Sequence, residues 1–288
     1  MRGASTSLSP SSSEPPGQNA GVLPRLIATD LDGTLLSPSG ELTPRTVAAL
    51  QAATDAGVIV VFASGRPPFI ATREIEAAGR GVQYGVMANG TIVCTLPDAT
   101  TLHSVSFDAP VAIEAVRTMR AHDPAIGVAL ATDRGFTAEA GFRERMPIDP
   151  GGESVPDALV GHDGATVAIK LLAFHPTRTA HDLIAELPAV LGPDLVVAHM
   201  GADAVEVAPA GADKGIGLRW LLAHLDIDGA DVVVFGDEIN DLPMFAVAGR
   251  RIAVANAHPS VRDAADEVTE SNADDGVARA IERLLAAP

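Results

Sequence analysis

One cysteine, Cys94, stands in a chain of 288 residues. No intrachain disulfide can form and no multi-cysteine zinc site can be built, which fits a reducing, cytoplasmic setting. Positive charge is also scarce. Lys plus Arg is 20 against 37 Asp plus Glu, a formal net charge of −17. Such a surface is a poor match for nucleic acid or an anionic membrane, so neither is expected as a partner. No apolar run approaches the roughly 18 residues of a membrane-spanning helix. The first 20 residues are rich in Ser, Pro and Gly and lack the apolar stretch of a signal peptide, so residues 1–20 are expected to be a flexible tail. The whole chain is 47% apolar and 20% charged. That is ample material for the core of one or two globular domains.

The elements alternate. Arg25–Thr29 is a short apolar run ending at Asp30. Thr43 is a helix N-cap, Pro44 suits the first helical position, Val47, Leu50 and Ala53 follow at helical spacing, and Gly57 closes the helix. Val58–Phe62 is a continuous β-branched and apolar run. Strand, helix, buried strand is a βαβ unit and implies a parallel sheet. A helix near Pro68–Ala78 and a strand near Tyr84–Ala88 continue it. The pattern returns late, with helices at Lys214–Leu225, Asp241–Ala248 and Val277–Leu285 and strands at Val232–Phe235 and Ile252–Val254. Between them, strands at 101–107, 126–132, 166–174, 195–198 and 205–207 and helices near 110–121 and 178–191 suggest an α/β insert. A long loop is expected at Pro147–Gly164.

Four polar spots fall at the ends of core strands or the starts of helices, the edge where open parallel sheets bind ligands. Asp30-Leu31-Asp32-Gly33 leaves the first strand. Two carboxylates two residues apart can face one pocket, one as a nucleophile and one to move protons; a bare Asp-x-Asp-Gly is equally often an Asx-turn with two solvated aspartates. A calcium loop also begins this way, but Thr34 and Leu35 stand where its third ligand and its glycine belong. Ser64-Gly65-Arg66 combines a hydroxyl with backbone N–H groups at a helix start, an anion-binding arrangement or an ordinary cap. Lys214 is one of only two lysines, and as a cation at a helix start it opposes the helix dipole, where a structural lysine would not be placed. The other, Lys170, lies in an apolar strand, where a packed or snorkelling role is expected. Gly236-Asp237-Glu238-Ile239-Asn240-Asp241 gathers hard-oxygen ligands suited to Mg²⁺, or caps the next helix.

Taken together and in this order, Asp30-x-Asp32, Ser64, Lys214 and Gly236-Asp237-x-x-Asn240-Asp241 resemble the haloacid-dehalogenase (HAD) superfamily of phosphatases. Met87-Ala88-Asn89-Gly90, Val254-Ala255-Asn256-Ala257 and Ser271-Asn272-Ala273-Asp274-Asp275-Gly276 are similar to signatures of its Cof-type branch, which carries a large α/β (C2B-type) cap. The resemblance spans roughly residues 25–285. It implies an α/β fold: a doubly wound, parallel-sheet, Rossmann-like core at 21–91 and 207–288, with an α/β cap inserted at 92–206.

The resemblance also implies roles. Asp30 would attack phosphorus and form an aspartyl-phosphate, and Asp32, in a pocket of several carboxylates, would act as acid and then base. Asp30, Asp237 and the Asp32 backbone carbonyl would hold Mg²⁺, with Asp241 orienting them. Two like charges at 4 Å repel by about 4 kcal/mol at an effective dielectric near 20, so Mg²⁺ and Lys214 are needed to offset the carboxylates and the phosphate. Ser64 and Gly65 would bind the phosphoryl group. Arg66 and Asn89 are further candidates, and Asn240 would support Lys214 or the phosphate. Arg134, His199 and Asp203 are the cap candidates for specificity. The expected partner is a small phosphorylated metabolite, a sugar phosphate, bound by a monomer or homodimer. The alternatives are a phosphomutase or a non-catalytic metabolite-binding protein.

Overall fold

Apolar runs without alternation need burial on both faces, and parallel strands flanked by helices supply it. The computed structural model describes residues 23–105, 109–132, 135–142, 144, 153–158, 168–199 and 203–286. The expected tail, most of the loop at 147–164, and Arg134 lie outside the described residues.

The chain opens with β1 (Leu26–Thr29), α1 (Pro44–Asp55), β2 (Ile59–Ala63), α2 (Thr72–Ala78) and β3 (Tyr84–Met87). The three strands are parallel, with Leu26 opposite Ile59 and Val61 opposite Tyr84. Helix α1 starts where its cap residues put it: Thr43 Oγ1 accepts from the Thr46 N–H at 3.1 Å. Helix α2 begins later than the expected Pro68. Pro67 and Pro68 instead head a turn whose carbonyls accept from Ile70 and Ala71, and a residue before proline is held out of the helical region.

Next come β4 (Ile92–Thr95) and β5 (Thr101–Ser104), which extend the same sheet, β4 antiparallel to β3 and β5 antiparallel to β4. The cap boundary at residue 92 is thereby corrected. A tight turn at Ala88–Gly90 folds the chain straight back onto β3, so the insert starts after residue 104.

The insert holds α3 (Ala109–His122), β6 (Gly127–Thr132), β7 (Gly135–Ala138), β8 (Glu153–Ser154), β9 (Ala168–Phe174), α4 (Ala180–Leu191), β10 (Leu195–His199) and β11 (Val205–Pro209). Its strands form a second sheet in the order β10-β11-β9-β6-β7-β8. One face, with Leu171, Ala173, Val205 and Val207, packs on Val116 of α3 and Leu183 of α4. The other carries Ala129, Ala131, Leu172, Phe174 and Ala204. Alternation along β9 and β11 puts Lys170 and Glu206 on this second, helix-free face. The expected return to the core at 207 is corrected as well. Strand β11 pairs with β9 and β10 and runs to Pro209, so re-entry falls at 210–213.

The core resumes with α5 (Lys214–Leu225), β12 (Val232–Gly236), α6 (Leu242–Phe245), β13 (Arg250–Val254), α7 (Pro259–Ala264), β14 (Glu267–Thr269) and α8 (Gly276–Ala286). The helix expected at 241–248 is split into a 3₁₀ turn at Ile239–Asp241 and the short α6. The core sheet runs β14-β13-β12-β1-β2-β3-β4-β5. Strand β1 pairs with β2 on one side and β12 on the other, both parallel. Strand order therefore reverses at β1, and a crevice opens beyond its carboxyl end. Asp30 is the next residue. Among the described residues no helix is long and apolar enough to cross a membrane.

Candidate active site

Asp30 leaves β1 with its N–H bonded to the Phe235 carbonyl at 3.1 Å. That bond ties the first acidic residue to the strand that ends at Gly236. The two acidic segments therefore meet by sheet pairing. Oxygens of Asp30, Asp237 and Asp241 all lie within 4.8 Å of one another. Gly33 is what lets them approach: its φ is +81°, and a Cβ there would stand 2.2 Å from Asp237 Oδ2. Thr34 Oγ1 donates to Asp237 Oδ1 at 2.6 Å, fixing the carboxylate across the gap between the loops.

Lys214 enters from the first turn of α5. Its Nζ donates to Asp30 Oδ1 at 2.6 Å and to Asp241 Oδ1 at 2.6 Å. The ammonium is 1% exposed. Burial alone would lower its pKa, but Asp30 and Asp241 outweigh that and hold it above the usual lysine range. Removing this cation would leave two buried carboxylates uncompensated, a loss of about 3–5 kcal/mol for a buried pair. The position at the positive end of a helix is thus explained by its partners. Asp241 commits both oxygens, since Oδ2 accepts from the Asp237 and Glu238 N–H groups at 2.8 and 3.0 Å. It shapes the loop more than it offers a free ligand. Burial pushes the Asp30 carboxyl well above its ordinary value despite Lys214. Burial, reinforced by Asp241, pushes Asp237 up to about 6. Carboxylates held this way suit a hard divalent cation, and Mg²⁺ fits the all-oxygen donor set.

A haloacid dehalogenase-like hydrolase family model matches residues 27–281. The chain belongs to this family. It is a hydrolase of the HAD phosphatase type, in the branch with an inserted α/β cap. An HMP-PP phosphatase of Yersinia pestis is 28% identical over 252 residues, covering 83% of this chain and 86% of that one. The crystal structure of a haloacid dehalogenase-like hydrolase from Bacteroides thetaiotaomicron superposes with a TM-score of 0.79 at 26% identity, covering 90% and 99% of the two chains. A HAD subclass IIB sugar phosphatase shares the fold with a TM-score of 0.75 at 19% identity, covering 90% and 98%.

The remaining motifs of this hydrolase converge on the same edge. Ser64 is fully buried, and its Oγ accepts from the Arg66 N–H at 3.1 Å, which leaves its own proton to donate. Gly65 lies between them. Arg66 is not a free substrate-facing cation. Its guanidinium is bidentate on Asp32, through Nε at 2.8 Å and Nη2, and Nη1 reaches Glu74 at 3.1 Å. Asp32 therefore faces an arginine, which Glu74 shares from the other side. Asn240 does not reach Lys214 either. It donates to Asn89 Oδ1 at 3.2 Å. Asn89 stands at the tip of the β3–β4 turn with φ +54°, between Ala88 at +51° and Gly90 at +85°. Of the cap candidates, Asp203 accepts from the Ala180 N–H at 2.9 Å and caps α4. His199 ends β10.

Five residues gain roles that the motifs alone left unassigned. Thr34 holds Asp237. Asn256 Nδ2 donates to the Gly33 carbonyl at 2.8 Å, and Asn272 Nδ2 to the Leu36 carbonyl at 2.8 Å, so the two C-terminal signatures clamp the loop after Asp30. Lys170 and Glu206 bring the cap to the site. Their place on two strands of one antiparallel sheet was the available signal, and it needed the strand pairing to be read.

Proposed function

We propose that this hydrolase is a Mg²⁺-dependent phosphatase that cleaves a small phosphorylated metabolite, a sugar phosphate, through an aspartyl-phosphate on Asp30. The observation that carries this reading is the buried Lys214 shared by Asp30 and Asp241 at the edge where strand order reverses. A fixed ammonium at a buried carboxylate both orients the nucleophile and offsets negative charge gathering at the phosphoryl group. An oxygen of Asp30 attacks phosphorus as the bond to the leaving oxygen breaks. Asp32, once it leaves the bidentate Arg66 pair seen here and takes up a proton from solvent, would give that proton to the leaving oxygen, then take one from the water that cleaves the aspartyl-phosphate and frees Asp30. Ser64 Oγ–H and the Gly65 N–H would be donors for the phosphoryl oxygens, since the Ser64 and Arg66 N–H groups are bonded within the fold. Asp30, Asp237 and the Asp32 carbonyl would hold Mg²⁺, with Asp241 ordering the Asp237 loop. Bound there, the cation would neutralise charge on the transferring group. The relatives named as HMP-PP and sugar phosphatases support a small phosphorylated substrate. The single cysteine, free and buried, suits a cytoplasmic setting.

The test is a pair of substitutions. Asp30→Asn should cut phosphate release by about 10³-fold or more while inorganic phosphate still binds and the fold persists. Asp32→Asn should slow turnover more for poor leaving groups than for good ones. Full activity in Asp30→Asn, or equal slowing across leaving groups for Asp32→Asn, contradicts the assigned roles. Free phosphate as product, against an isomeric phosphate ester, separates hydrolysis from a mutase.

A further inference from the structure

The two loops proposed to bind phosphate, at 64–66 and 88–90, are bonded to each other. The Asn89 N–H reaches the Ser64 carbonyl at 3.0 Å, and the Ala88 N–H reaches the Arg66 carbonyl at 3.0 Å. Both belong to the core. From the cap sheet, Lys170 on β9 and Glu206 on β11 form an ion pair of 2.8 Å. Lys170 Nζ also donates to the Gly65 carbonyl at 3.0 Å, and Glu206 Oε2 accepts from Asn89 Nδ2 at 3.1 Å. Both side chains are buried, at 7% and 4% exposure. Each partner of the pair thus grips one of the two loops.

A buried ion pair is weak evidence for stability, because desolvation offsets much of its attraction. What this pair adds is geometry. Lys170 satisfies the Gly65 carbonyl in the middle of Ser64-Gly65-Arg66, the segment whose Ser64 hydroxyl and Gly65 N–H are the proposed phosphate donors. Glu206 aligns Asn89, which in turn accepts from Asn240 of the acidic loop. Glu206, on β11, also precedes Lys214, the first residue of α5, by eight residues along the segment that returns from the cap to the core. We propose that Lys170 and Glu206 are positioning residues through which the seated cap sets the phosphate-binding loops, so that the site is assembled only when the cap is closed. This rests on the phosphatase reading for its catalytic consequence and on the structure for its geometry.

The test compares wild type with Lys170→Met and with the charge swap K170E/E206K. It reads melting temperature, kcat and KM on para-nitrophenyl phosphate with Mg²⁺, and amide hydrogen exchange at 64–66 and 88–91. Lys170→Met removes the donor. The swap restores an ion pair within the cap but sets a carboxylate against the Gly65 carbonyl. Lys170→Met leaves Glu206 buried without its cation and should lower the melting temperature, while the swap should stay nearer wild type. Assayed where each is folded, both should lose about 10-fold or more in kcat/KM, mainly in kcat, as expected for loops misplaced by a fraction of an ångström to an ångström. Exchange at both loops should quicken while the core strands stay protected. Wild-type kcat/KM in either variant, including rescue by the swap, would make the pair merely structural and overturn the proposal. Unchanged exchange at both loops would do the same. If Lys170→Met does not fold, Lys170→Gln, whose amide is one bond too short to reach Gly65, is read identically. If wild type itself releases no phosphate, the phosphatase reading fails, and the exchange data alone decide the role of the pair.

Discussion

Asp237 is where burial and chemistry meet at the scale of one residue. Its carboxyl is pushed up to about 6 by burial, with Asp241 adding to the shift and Thr34 opposing it. A carboxyl whose folded pKa is raised binds its proton more tightly in the native state than in the unfolded one. Its contribution to stability is therefore fully present below the unfolded value of 3.8 and is lost as pH rises through about 6. Asp30 shifts in the same direction. A bound divalent cation reverses this logic, since it needs the ionised carboxylates and displaces their protons. The metal-free protein should thus melt at a lower temperature near pH 7 than near pH 5. Asp237→Asn should flatten that slope, and Mg²⁺ should raise the melting temperature more at the higher pH. Thermal scans with chelator and with Mg²⁺ check this. A metal-free melting temperature that climbs from about pH 5 to 7 would contradict the shifts.

At the scale of elements, the turn between β3 and β4 has to pass directly beneath the helix that carries Lys214. Gly90 adopts φ +85°, and a Cβ on it would stand 2.0 Å from the Asp213 carbonyl. Asp213 is the N-cap of α5, its Oδ1 accepting from the Ile216 N–H at 2.7 Å. Gly90→Ala should therefore cost about 1 kcal/mol or more from backbone strain alone. The close contact adds to this, and α5 and Lys214 should be displaced. Chemical denaturation reads the stability, and phosphate release should fall with it. Unchanged stability would show that the turn and the helix are not packed as described.

The same turn shows what sequence reading reaches. Asn-Gly between apolar runs is a strong hairpin signal, yet the sequence leaves Ile92–Thr95 unread as a strand and places the strand at 101–107 in the cap, because membership of a sheet is a long-range fact. The α1 cap, the buried parallel strands and the order of Asp30, Ser64, Lys214 and Asp237 were legible, because each depends on neighbours in the chain. Roles that depend on partners far away were not. Arg66 meets Asp32 across 34 positions, Asn256 meets Gly33 across 223, and Lys170 meets Gly65 across 105. Lys170 was misjudged for a physical reason: an apolar strand hides which of its two faces meets another domain. It is buried, as expected, but by pairing rather than by packing or snorkelling.

At the scale of the whole molecule, two sheets divide the labour. The core sheet collects the acidic loops at the point where its strand order reverses, and the cap sheet covers one face with α3 and α4 while its other face carries Lys170 and Glu206 toward the site. The net charge of −17 makes the approach of an anionic substrate unfavourable at long range. Cations fixed near the acidic cluster, Lys214 first, therefore have to supply the local attraction. The central claim is that these parts form a metal-dependent phosphatase centre. The most direct measurement is phosphate release from a panel of small phosphorylated metabolites, with Mg²⁺ and with chelator. The account predicts release that requires Mg²⁺, with one class of phosphate ester, the sugar phosphates, well ahead. Folded protein that releases no phosphate from any of them with Mg²⁺, or releases it equally in chelator, would contradict it.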